Sequence, residues 1–114
     1  MRGMANHRHK KVLKLAKGFR GRSSRCFTVA NHRVQQARQY AYRDRKVKRR
    51  EFRKLWIQRI NAGTRMYGLT YSLFINTMAA ANVQLNRKVL ADMAMTEPLS
   101  FRSVLEVVKS AALK

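Results

Sequence analysis

The feature that most limits this chain is where its charge lies. Residues 1–65 hold 21 Lys and Arg against two acids, Asp44 and Glu51, a net +19, whereas residues 66–114 hold five against three, a net +2. A half-chain so charged repels itself in any compact state until a polyanion neutralises it. Yet 46% of the residues are apolar, too many for a disordered basic tail, so the chain folds. A nucleic acid is the expected partner, and an anionic membrane surface is the alternative. The single cysteine, Cys26, leaves no internal disulfide, which suits a reducing compartment. No apolar run nears the ~18 residues of a membrane span. The Arg/His/Lys-rich start carries no apolar signal-peptide core.

One proline and five glycines, with no alternating β-branched runs, predict an all-α chain: a long basic N-terminal helical arm followed by a small three-helix C-terminal domain. The expected domains are 1–65, a polycationic RNA-threading arm built as helix, turn and long helix, and 66–114, a small helical globular domain. The first helix is expected to start at Asn6 as cap and to stop at Gly18. Ser23 or Ser24 is then expected to cap a second helix that runs to Gly63 or Gly68, about 40 residues and roughly 60 Å. Its early stripe is Phe27, Ala30, Val34, Ala37 and Ala41; its late one is Phe52, Leu55, Trp56 and Ile60. Between them, 43–50 is charged on nearly every face. The like-charge neighbours Arg45/Arg49, Lys46/Arg50, Arg49/Arg53 and Arg50/Lys54 oppose an isolated helix by about 1–2 kcal/mol, and Asp44 with Lys48 returns only a few tenths. That helix is expected to lack an intramolecular partner and to need phosphates around it.

In the neutral half, Tyr71, Phe74, Ile75 and Met78 follow helical spacing behind Thr70 as cap. Val89, Leu90 and Met93 do so behind Asn86, and Phe101, Val104, Leu105 and Val108 do so behind Glu97-Pro98. Three short helices make a marginal core, which Trp56 and Ile60 are expected to join. Asn86 as cap leaves free N–H groups at the start of its helix, with Arg87 and Lys88 in the first two positions. A phosphate there would meet backbone donors and both cations.

Nothing points to catalysis. The acids are scattered, Cys26 has no CxxC partner for zinc, and Cys26 and His32 are too far apart on a helix to pair. Neither a catalytic residue, a metal site nor a cofactor is expected. The aromatics among the charges, Tyr40 and Tyr42 above all, either stack on splayed bases or pack helix against helix.

The stretches His9-Lys10-Lys11-Val12-Leu13-Lys14 and Ala16-Lys17-Gly18-Phe19-Arg20-Gly21-Arg22-Ser23 resemble the N-terminal part of the L-twenty family of bacterial-type large-subunit ribosomal proteins. Gln39-Tyr40-Ala41-Tyr42-Arg43-Asp44-Arg45-Lys46 and Leu55-Trp56-Ile57-Gln58-Arg59-Ile60-Asn61-Ala62 are similar to its central signature. Tyr71-Ser72, Phe74-Ile75-Asn76 and Asn86-Arg87-Lys88-Val89-Leu90-Ala91-Asp92 are similar to its C-terminal domain. The resemblance covers nearly the whole chain. It implies an arm threaded through large-subunit ribosomal RNA, a small domain docked on an RNA junction, and a role early in subunit assembly; some bacterial members also repress their own message. The basic start is shorter than is usual in the family. Leu85-Asn86-Arg87-Lys88, Glu97-Pro98 and Arg25-Cys26 look most like mitochondrial members, with a bacterial or plastid origin as the alternative.

Charge pattern and resemblance together give the expected RNA contacts. In the arm they are Arg8, His9, Lys10, Lys11, Lys14, Lys17, Arg20, Arg22, Ser23, Arg25, Arg33, Arg38, Tyr40, Tyr42, Arg43, Arg45, Lys46, Lys48, Arg49, Arg50, Arg53, Lys54 and Arg59; in the domain, Asn86, Arg87 and Lys88. The expected partners are large-subunit ribosomal RNA and neighbouring ribosomal proteins, with no membrane, no small-molecule substrate and no homo-oligomer. A regulator on DNA or messenger RNA is the competing reading. Charge on all faces argues against major-groove reading by one face, and the lack of an apolar face at 43–50 argues against lying on lipid.

Overall fold

The computed structural model describes residues 7–113, so the expected cap at Asn6 lies outside the described residues. Every regular element among them is helical: α1 His7–Leu15, a 3-10 turn Gly21–Ser24, α2 Phe27–Arg65, α3 Tyr71–Ala80, α4 Arg87–Thr96 and α5 Pro98–Ala112. The chain divides into two compact units, one ending at Val47 and the other starting at Lys48.

In the first unit, Gly18 at φ +89° turns the chain out of α1, a conformation that a side chain disfavours. Ser23 and Ser24 do not cap α2. Gly21, at φ +61°, opens a 3-10 turn instead, and the Ser24 hydroxyl donates back to the Gly21 carbonyl at 2.9 Å. The long helix begins only at Phe27, with the Cys26 carbonyl accepting from Ala30 N at 2.8 Å. Nor is its start without a partner: Ala30 and Val34 form a small core with Ala16, flanked by Val12, Leu13 and Phe19. The apolar stripe stops there, because Ala37 and Ala41 are exposed. From Gln35 to Lys54 every residue except Val47 is exposed, yet the helix continues without a break.

In the second unit, α5 packs on both α3 and α4. The core consists of Ile60, Phe74, Met78, Leu90, Ala91, Phe101, Leu105 and Val108, with Trp56 packed against it. The late part of α2 thus supplies what the three short helices lack. Each helix boundary has a local cause. Gly68, at φ +79°, and Asn82, at φ +58°, end α2 and α3. The next residues, Leu69 and Val83, donate back to Thr64 and Met78 carbonyls at 3.1 Å and pack on the core, the usual helix-ending motif. Thr70 and Asn86 cap α3 and α4 as expected, accepting from Leu73 N at 3.4 Å and Val89 N at 2.9 Å. Pro98 opens α5, where its missing N–H costs nothing.

Candidate nucleic-acid interface

On α1 and the turn after it, Arg8, Lys10, Lys11, Lys14, Lys17, Arg20, Arg22 and Arg25 are exposed. They stay outside because Val12, Leu13 and Ala16 occupy the buried side. His9 is drawn in instead: its ring stacks on Phe27 with centroids 3.7 Å apart and planes 15° apart. Ser23 is half-buried in the 3-10 turn.

Along the first-unit part of α2, Arg33, Arg38, Arg43, Arg45 and Lys46 are exposed. Tyr40 and Tyr42 are 46% and 59% exposed, so neither serves as helix-to-helix packing. The Arg43 guanidinium lies over the Tyr40 ring at 4.8 Å and the Lys46 ammonium over Tyr42 at 5.2 Å, each within cation–π range. Asp44 bonds Arg43 at 3.1 Å rather than the expected Lys48. Such an exposed pair contributes about 0–1 kcal/mol.

In the second unit, Lys48, Arg49, Arg50, Arg53 and Lys54 are all exposed. At about 100° per residue they spread over roughly two thirds of the helix circumference. Lys54 reaches Glu51 at 4.0 Å, and Lys48 lies over the Phe52 ring at 5.7 Å. Among the described residues no acid pairs with Arg45, Lys46, Lys48, Arg49, Arg50 or Arg53. This is a field of positive charge that the protein does not neutralise.

The C-terminal contacts divide differently from the expected Arg87/Lys88 pair. A groove of about 500 Å³ brings Trp56 and Arg59 of α2 beside Asn86, Lys88 and Asp92 at the start of α4. Lys88 is exposed there, Arg59 half-buried, and Asn86 holds the helix end. Two cations thus flank a helix N-terminus whose first N–H groups have no intrahelical acceptor. Arg87 does not line this groove. Its Nε donates to the Tyr71 hydroxyl at 2.6 Å, tying α4 to α3. Lys109 is likewise engaged, with Nζ donating to the Tyr67 carbonyl at 2.9 Å.

Arg59 was expected as a contact of the arm, but not as a neighbour of Lys88, with which it lines one groove because the end of α2 packs into the core. Asn61 was not expected as a functional position at all. Asn61 Oδ1 accepts from Tyr71 N at 3.2 Å and from Arg65 Nε at 3.1 Å, fixing the first turn of α3 from another helix. The one sign was an Asn inside a helix, where that residue is otherwise a poor choice. Among the described residues no three His, Cys, Asp or Glu gather to hold a metal, and no helix is long and apolar enough to cross a membrane.

The family model described as Ribosomal protein L20 matches residues 2–104. The chain belongs to the L20 family. The large ribosomal subunit protein bL20 of Rhodospirillum centenum is 56% identical over 111 residues, covering 96% of this chain and 93% of its own. The bL20 of Rhodospirillum rubrum is 59% identical over 107 residues, covering 93% and 86%. That of Amoebophilus asiaticus is 56% identical over 101, covering 89% of each. These relatives are bacterial. The span shared with the L20 family takes in most of each unit and every expected contact from Arg8 to Lys88. L20 membership makes the chain a structural ribosomal protein rather than an enzyme.

Proposed function

We propose that this L20-family chain holds large-subunit ribosomal RNA through two surfaces and so supports assembly of that subunit. The first is the arm of residues 1–65, and the second is the Arg59–Lys88 groove that α2 shares with the 66–114 domain. The observation that carries the reading is the run Lys48, Arg49, Arg50, Arg53 and Lys54, spread around an exposed helix that carries one acid, Glu51, among them. Phosphates converging from several directions neutralise such a helix; a single flat surface does not. Exposed Tyr40 and Tyr42 offer ring faces to unpaired bases. In the groove, Lys88, Arg59 and the capped start of α4 form a second, smaller phosphate site. The chain works as one copy beside neighbouring ribosomal proteins, with no small-molecule substrate and no membrane.

The relatives favour a bacterial ribosome, and the mitochondrial reading rests on residues 85–88, 97–98 and 25–26 alone. The test is sedimentation of the tagged chain in high salt, with sequencing of the RNA that travels with it. Co-sedimentation with large-subunit particles is the expected result, and the RNA sequence tells bacterial from organellar origin. A chain that stays at the top of the gradient refutes the proposal.

A further inference from the structure

The core of the first unit runs out at Val34, and beyond it lies a gap rather than a surface. Ala16, Val12 and Leu13 cover Ala30 and Val34; one turn further along α2 the chain places only Ala37. Around it lies a trough of about 470 Å³, walled by Phe19 and Arg20 from the turn and by Arg33, Gln36 and Tyr40 from the helix. That volume falls within the roughly 300–1,000 Å³ of small-ligand sites. Its walls are two aromatic rings and two guanidinium groups, a set suited to a flat heterocycle joined to an anion. The wall is also held in place. The Tyr40 hydroxyl accepts from Gln36 Nε2 at 3.0 Å. Arg43, which is outside the lining, lies over the Tyr40 ring at 4.8 Å, taking one face and leaving stacking to the other. Across the trough, Gly18 and Gly21, both at positive φ, bracket Phe19 and Arg20, and the Arg20 carbonyl accepts from Ser23 N at 3.3 Å.

We propose that this trough seats one unstacked RNA nucleotide, its base against Tyr40 and Phe19 and its phosphate between Arg20 and Arg33. The inference rests on the proposed RNA-binding function and goes beyond it. A solvated basic face reads only backbone charge, whereas this site selects a nucleotide that has left its helix. Ala37 is the smallest residue of the lining, and Ala37→Leu fills the trough without altering charge and with little change in helix propensity.

The test uses the full chain and two RNA hairpins, one fully paired and one with a single bulged 2-aminopurine in the stem, at one fixed salt concentration. The wild-type chain is expected to favour the bulged hairpin roughly tenfold, within the range of one base stacked on an aromatic, and to quench its fluorescence. Ala37→Leu abolishes both preference and quenching while still binding the paired hairpin; Ala41→Leu, one turn along, leaves both unchanged. Tyr40→Leu repeats the experiment without filling the trough, so a misfolded Ala37→Leu chain does not leave the matter open. Equal binding of both hairpins by the wild-type chain overturns the nucleotide site and leaves RNA binding intact. Binding of neither overturns both readings.

Discussion

Gly63 is the position where the packing of the second unit can be tested most directly. It sits inside α2, where glycine costs about 0.8–1.0 kcal/mol relative to alanine, so Gly63→Ala stabilises the helix taken alone. The core reverses the sign. A Cβ at residue 63 meets Phe101 Cε1 at 2.9 Å, and Phe101 Cζ and Ala94 Cβ at 3.3 Å. The Phe101 ring has nowhere to go, being 2% exposed and set against Phe74 with centroids 6.2 Å apart. Forcing a methyl group into such a site costs about 1–3 kcal/mol. The net expectation is a loss of about 1 kcal/mol, or a fall in Tm of about 4–8 °C for a domain of this size. Trp56, the one tryptophan of the chain, packs against this core and supplies the fluorescence signal for thermal or urea unfolding. Ala62→Gly, at an exposed neighbour, costs about 1 kcal/mol through propensity alone. In a Phe101→Leu background the two Phe101 contact atoms are gone and only Ala94 Cβ at 3.3 Å remains, so Gly63→Ala then becomes neutral or stabilising, a coupling that only neighbours show. A Gly63→Ala chain that melts above wild type would refute the reasoning.

Other consequences can be checked separately. In free protein, amides of 71–112 within the helices exchange slowly, whereas those of 36–46, which no core covers, exchange fast until RNA is added; uniform protection of both contradicts this. Replacing Arg49, Arg50 and Arg53 by Gln flattens the log–log salt dependence of RNA binding by about 0.7–0.9 per lost phosphate contact, and an unchanged slope means that the run is solvated decoration. Arg59→Ala and Lys88→Ala weaken RNA binding with little change in Tm, whereas Arg87→Ala lowers Tm by freeing Tyr71; the reverse pattern in binding and melting rejects the groove. Asn86→Ala removes the cap of α4 and costs about 1 kcal/mol, which Asn86→Asp restores; equal melting of all three chains denies that cap.

The second unit was more legible than the first because its signals are local. Thr70, Asn86 and Pro98 mark three helix starts in the sequence itself, and the apolar stripes behind them reach the core, except for Val89, which is exposed. In the first unit periodicity picked out Ala30 and Val34, but neither their partner Ala16 on α1 nor the end of the stripe before the exposed Ala37 and Ala41 has a local signal. Ser23 and Ser24 looked like caps because capping residues are read without the backbone. Gly21 at positive φ bends the chain first and leaves them in a turn. As for the interface, charge is additive along a sequence and could be read from it. The division between Arg87 and Lys88 could not, since it depends on a tyrosine 16 residues earlier.

The exposed middle of α2 also has a thermal consequence. The phosphate contacts offered by the exposed run Lys48, Arg49, Arg50, Arg53 and Lys54 bury almost no apolar surface when they form. Burial of such surface is what makes the heat of a process vary with temperature and what weakens an interaction on cooling. The enthalpy of those phosphate contacts is therefore nearly flat across temperature, whereas stacking of bases on Tyr40 and Tyr42 adds a negative heat-capacity change. The core around Phe74 and Phe101 behaves in the opposite way: its stability curve bends because apolar burial makes it. One chain thus carries two thermal characters, and cold weakens its core far more than its hold on phosphate.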